Sequence, residues 1–260
     1  MNRVLARLTA RQLLGSRRTL IAAAVTLLPL VIAAAYLLLA DDTDALDDTL
    51  FAVGLNDGLM LEVLVPIMAL VLGTAVLGSE IEDGTAVFLF TKPVDRRRIL
   101  AVKTTMAAAC CALLVLPASL LTTWLLVGSP VRDGLMLGLG LTVLVAAAVY
   151  TVVFVALSAV THRSLIFGLA YVFLWEALVT DLFTGLSWVS ISEYAYGWGS
   201  VFMSSTEPMA GLDAAHGSEA NPYDPSFGLL PSVVGTLVVL AGAAWVGGER
   251  LSRFQIGERK

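Results

Sequence analysis

The chain has 260 residues, 58% of them hydrophobic and only 14% charged, with a mean hydropathy of +0.85. A soluble domain of this size would carry about 25% charged residues, and long apolar runs recur along the whole length, so the composition excludes a soluble domain with or without a single anchor. The net charge of −5 conceals a sorting of basic residues that sets the topology.

Residues 1–18 place Val4, Leu5, Leu8, Gln12 and Leu13 near one helical face, with Arg3, Arg7, Arg11, Arg17 and Arg18 around the rest. This pattern predicts a basic amphipathic helix lying on an anionic leaflet. The apolar run at 19–40 is too long for the core of a signal peptide and is read as an uncleaved first span. It covers about 33 Å at 1.5 Å per residue, and Pro29 is expected to kink it.

An acidic stretch, Asp41, Asp42, Asp44, Asp47, Asp48 and Asp57, precedes a second span at about 58–77, which holds Glu62 and Pro66. The remaining spans are expected at about 104–127, 135–160, 164–182 and 228–247. The loop at 78–103 joins the second and third, and an outer segment at 183–227 joins the fifth and sixth. In this six-span reading, fifteen of the sixteen Lys and Arg residues fall on one side, Arg132 being the exception. The bias places both termini in the cytoplasm. The expected fold is therefore an all-α polytopic membrane protein with six transmembrane helices and one transmembrane domain over 1–260.

Soluble chemistry finds little support. The sequence contains no G-x-x-x-x-G-K-[ST] loop for a nucleotide. Its two histidines, His162 and His216, fall on opposite sides of the membrane, so no paired-histidine metal site is expected. No Ser–His or Ser–Lys pair lies within the bilayer. The chain alone is not expected to be an enzyme, and nucleic acid is not among its expected partners. Cys110 and Cys111, adjacent in an apolar run, read as small buried hydrophobes.

Glu62, Glu176 and Asp181 are the acids within or near the spans, and intramembrane carboxylates usually face a cavity or reach the headgroups. Glu62, about one turn inside the second span, and Asp181, at the end of the fifth, fit the headgroup reading better. Glu176 lies deeper and fits either reading. Together the three are the candidate pathway residues of a stand-alone secondary carrier or channel. In the outer segment, Trp188, Tyr194, Tyr196, Trp198 and Phe202 suit an interfacial or re-entrant helix; the half after them reads as loop. Gly134 and Gly138 form a G-x-x-x-G that serves packing within the bundle as easily as dimerisation.

The loop at 78–103 is the informative stretch. Its acids come first (Glu80, Glu82, Asp83), then an apolar patch (Val87, Phe88, Leu89, Phe90), then a basic cluster (Arg96, Arg97, Arg98, Lys103). Exposed apolar residues in a cytoplasmic loop need a lid, either bilayer or another protein. Gly84 is suited to break the second helix, Thr85 to cap a short one ending before Pro93, and Asp95 to cap the next. The loop is thus expected to form two short helices lying crosswise beneath the bilayer.

At these residues the sequence resembles the permeases of type-2 ATP-binding-cassette exporters. Glu80, Glu82, Gly84, Thr85, Pro93, Val94, Arg96, Leu100 and Lys103 carry the resemblance; Asp95 departs from the usual Ser but keeps N-capping ability. The N-terminal amphipathic helix, the six spans and the long outer segment are similar as well. The resemblance implies a membrane subunit whose loop holds a coupling helix docked on a cytoplasmic ATPase. Thr85, Ala86, Val87, Phe88, Leu89, Phe90 and Thr91 would be the docked segment, with Phe88 and Phe90 as anchors. Glu80, Glu82, Asp83, Gly84, Pro93, Asp95 and Arg96 would be its polar contacts or hinge. The implied partners are two copies of the ATPase, a second permease chain (the same or related) and membrane lipid. The chain would bind no cofactor or metal itself, ATP and Mg acting through the ATPase. The expected location is the prokaryotic cytoplasmic membrane.

Overall fold

The computed structural model describes residues 17–39, 45–82, 96–128, 134–161, 163–174, 189–203 and 228–253. Among these residues the regular structure is all helical, as an apolar chain with no water to satisfy its backbone requires. Helices α1 (Arg17–Thr26) and α2 (Leu28–Leu39) form the first span. The α-helical pattern is interrupted at Leu27, two residues before Pro29, where a kink is expected. Helix α3 (Ala45–Gly54) runs into a π-helical segment, Leu55–Leu64, and then into α4 (Val65–Glu82). The long helix α5 (Arg96–Val127) continues through Pro117. It is followed by α6 (Leu135–Val160), α7 (Ser164–Ala170), α8 (Ile191–Met203) and α9 (Leu229–Arg253).

Five of the resulting helical stretches are long and apolar enough to cross a membrane, Thr19–Leu39, Asp47–Val76, Arg98–Val127, Leu135–Val160 and Leu229–Arg250, counted among the described residues. The expected fifth span at 164–182 is seen as a shorter apolar helix, Ser164–Leu174, and its later part lies outside the described residues. Two helices extend to the N-terminal side of the expected spans. The second span begins helically at Ala45, well before 58, and the helix of the third begins at Arg96, before 104. Both extensions carry charged residues, which hydropathy alone excludes from a span.

Helix α6 is the centre of the bundle and packs against α4, α5, α7, α8 and α9. Tyr150 and Phe154 are fully buried on it, with Leu135, Leu139, Val143, Ala146 and Ala147 along the same helix. Gly73 lets α4 approach it closely: a Cβ there would lie 3.2 Å from Phe154 Cβ and 3.3 Å from the Thr151 carbonyl oxygen. Cys110 and Cys111 are both free and buried in this core, as small hydrophobes.

The π segment replaces the usual i→i−4 ladder with wider turns, Val65 N–H bonding to the Met60 carbonyl. Pro66, which has no amide hydrogen, stands where α spacing resumes, so the ladder is already interrupted there.

Candidate functional site

The ends of α4 and α5 frame residues 83–95. Glu80 and Glu82 belong to the last turn of α4, and Arg96 opens α5. Asp83, Gly84, the expected docking residues 85–91, Pro93 and Asp95 lie outside the described residues, as do residues 1–16, Glu176, Asp181 and the outer segment from 204 to 227. Beside the frame, Lys103 is buried to 3% exposure, and its Nζ donates to the Val76 carbonyl of α4 at 3.2 Å. An ammonium group is tolerated at such a site only with oxygen partners. The C-terminal half of α4 offers them, with its helix dipole turned favourably. Lys103, placed by the sequence in a basic loop cluster, is thus a strut between the two helices that enter and leave that loop.

A second polar cluster joins the π segment to α5. Asn56, 1% exposed, donates through Nδ2 to the Ala52 carbonyl at 2.9 Å and to Thr123 Oγ1 at 3.2 Å. It accepts from Ser119 Oγ at 2.5 Å, while Thr123 Oγ1 bonds the Ser119 carbonyl at 2.9 Å. Sequence reasoning missed this network because it placed Asn56 outside the span. A Ser119/Thr122/Thr123 group on one apolar helix was the available signal.

Glu62 lies on an exposed stripe of the same segment with Gly54 and Gly58, and a Cβ at either glycine would meet nothing within 4 Å. Its neighbours Met60 and Leu64 cluster with Ala118 of α5. Ala118 is about 14 Å along that helix from its end at Val127. Glu62 therefore lies level with a point about 14 Å inside the end of α5, on a surface that the described residues leave exposed.

The outer segment contributes α8, which packs against α6 and α9. Ser190 Oγ accepts from the Glu193 amide at 3.4 Å, so Ser190 and Glu193 start the helix with the spacing of a capping box. That spacing is legible in the sequence. Glycines let the helix sink in: a Cβ at Gly199 would lie 2.7 Å from the Gly138 carbonyl oxygen, and one at Gly138 would lie 2.9 Å from that of Gly199. Gly138 thus packs within the chain, whereas Gly134 takes a positive φ of 72° ahead of α6. Tyr196 hydrogen-bonds Asp57 of the π segment, and Trp198 Nε1 donates to Thr236 Oγ1 of α9 at 3.2 Å. The aromatic residues expected to anchor at the interface include two that turn inward. No group of three His, Cys, Asp or Glu residues able to hold a metal occurs among the described residues.

These features define a polytopic helical membrane protein in which the two helices flanking residues 83–95 are tied to each other through Lys103. The family described as ABC-2 family transporter protein matches residues 4–186, most of the chain. The chain belongs to that family. It is a membrane permease component of an ABC transporter, a multi-pass subunit that is not itself catalytic and that works with an ABC ATPase. Comparison with curated proteins and with solved structures returned no match.

Proposed function

We propose that this chain is the membrane subunit of an ATP-driven exporter of the prokaryotic plasma membrane. In this reading two permease chains, identical or related, pair with two cytoplasmic ATPase chains. Residues 85–91 dock on the ATPase, with Phe88 and Phe90 as apolar anchors. Glu80, Glu82, Asp83, Gly84, Pro93, Asp95 and Arg96 form the hinge and polar contacts. ATP and Mg act only in the ATPase. Both termini are cytoplasmic, on the strength of the basic residues on that side.

The observation that carries the reading is the Lys103–Val76 hydrogen bond of 3.2 Å. It ties α4 to α5 beside the docking loop, so displacement of the loop moves both helices as one body. α4 continues into the π segment, and α5 is bonded to that segment through Ser119 and Thr123. The motion thus reaches the Gly54, Gly58 and Glu62 face, which we assign to the substrate pathway between two permease chains and which switches between inward- and outward-open states. A carboxylate on an open face at that depth favours a wet cavity over lipid. Glu176 and Asp181 are proposed to line the same pathway. A stand-alone carrier using these three acids leaves both the apolar loop centre and the family match without a role.

The test is co-purification with an ABC ATPase, sought first in the neighbouring reading frames, together with ATP-dependent transport in proteoliposomes. Phe88→Asp with Phe90→Asp should abolish both. Unchanged association and transport in that double variant would sink the docking assignment.

A further inference from the structure

An apolar groove of about 490 Å³ opens on the bundle surface between α5, α6 and α9. It falls within the about 300–1,000 Å³ typical of small-molecule sites. We propose that it holds an acyl chain of an anionic phospholipid whose headgroup is bound by Arg98 and Arg250.

The groove exists because its walls are cut from small residues, Ala101 on α5, Ala156 on α6 and Ala243, Ala244 and Gly248 on α9. Beside it Gly247 packs closely on α6 and α5: a Cβ there would lie 3.3 Å from both Ala156 Cα and Leu100 Cδ2, a tight fit that favours glycine. Apart from the hydroxyls of Thr104 and Thr105 the wall is apolar. The Thr105 hydroxyl bonds the Ala101 and Val102 carbonyls of its own helix, each at 2.9 Å. The surface is therefore complementary to a hydrocarbon chain, worth about 0.8 kcal/mol for each buried methylene.

The end of the groove decides which lipid. Arg98 lies one turn before Ala101 and Arg250 two turns after Ala243, each near the groove face of its helix, and both are exposed. Arg163, at the same end of α6, is exposed as well. Glu249 is the acid among them and is half-buried, so the rim remains cationic. Trp245 borders the groove at 68% exposure, the position of an amphipathic ring at the headgroup level. An alkyl-lined slot ending in guanidinium groups fits a phosphodiester with its chain beneath it. The occupant would bridge α5, which leaves the docking loop, to α9. The inference rests on the chain being a membrane protein and not on its coupling to an ATPase.

The test uses the full chain reconstituted in bilayers of equal phosphatidylglycerol and phosphatidylcholine, then stripped with detergent and examined by native mass spectrometry. The native chain should retain phosphatidylglycerol over phosphatidylcholine. Ala244→Phe, which fills the groove, should lower that retention at least tenfold, and Leu230→Phe, far away on α9, should not. Arg98→Gln with Arg250→Gln, both surface changes, should remove the preference for the anionic lipid while leaving the fold intact. Equal retention of the two lipids by the native chain, or undiminished phosphatidylglycerol in either groove variant, overturns the proposal. A shift from dimer to monomer in Ala244→Phe with lipid retention unchanged would assign the groove to a second copy instead.

Discussion

Lys103 on α5 donates to the Val76 carbonyl on α4 at 3.2 Å, about two turns inside the helix ends that flank residues 83–95. Because the ammonium is buried, the bond is worth about 1.5–3 kcal/mol. Lys103→Met keeps the side-chain volume and removes the charge, so no unpaired cation is left behind. The variant should assemble with its ATPase and hydrolyse ATP, yet transport at least about tenfold less per ATP, a loss of about 1.4 kcal/mol of coupling. Transport per ATP equal to that of the native protein would show that the strut does not carry the motion.

Asn56 and Ser119 form the centre of the second cluster, with Oγ to Oδ1 at 2.5 Å. Interhelical hydrogen bonds in membranes average about 0.6 kcal/mol and reach about 1.7. Asn56→Ala, Ser119→Ala and the double variant, unfolded reversibly in mixed micelles, should give a coupling energy in that interval. A coupling of zero would mean that the two side chains do not meet in the bilayer.

Gly199 is seated against Gly138, and a methyl group there has no room. Gly199→Ala should destabilise by about 1–3 kcal/mol, as overpacking does, and should expose α8 to added protease. Gly242→Ala, where a Cβ meets nothing within 4 Å, provides the comparison and should be neutral or slightly stabilising. Equal melting temperatures for the two variants would contradict the inward seat of α8.

Glu62 shares its open face with Gly58. If that face lines the substrate pathway, Gly58→Cys should react with a membrane-impermeant maleimide in the assembled transporter, and bound nucleotide should change the rate. Glu62→Gln should alter transport by several-fold with little change in stability, since the group is exposed. A cysteine at Gly58 that stays unlabelled in every nucleotide state places the face against lipid or protein.

Much of the fold was legible because spans are local features. Twenty apolar residues cross a bilayer whatever they pack against, and helix α6 occupies Leu135–Val160, the expected stretch. Charge misled at the ends. Asp47, Asp48 and Asp57 are part of a helical stretch that begins at Ala45, and Lys103 is interior despite its charge; Asp57 is met by Tyr196 and Lys103 by the Val76 carbonyl, partners that hydropathy does not count. Of the candidate site, Glu80, Glu82 and Arg96 fall at the two helix ends that frame the loop.

By itself the sequence determined the membrane class and the transporter family, since composition and a short motif are read along one dimension. Only the tertiary structure decided that Lys103 ties the loop helices, that Asn56 meets Thr123 from 67 residues away, that Gly138 seats α8 and that Glu62 shares an exposed face with Gly58. Each of these depends on which helix faces meet. Facing is set by packing around α6, which no single stretch of the chain contains.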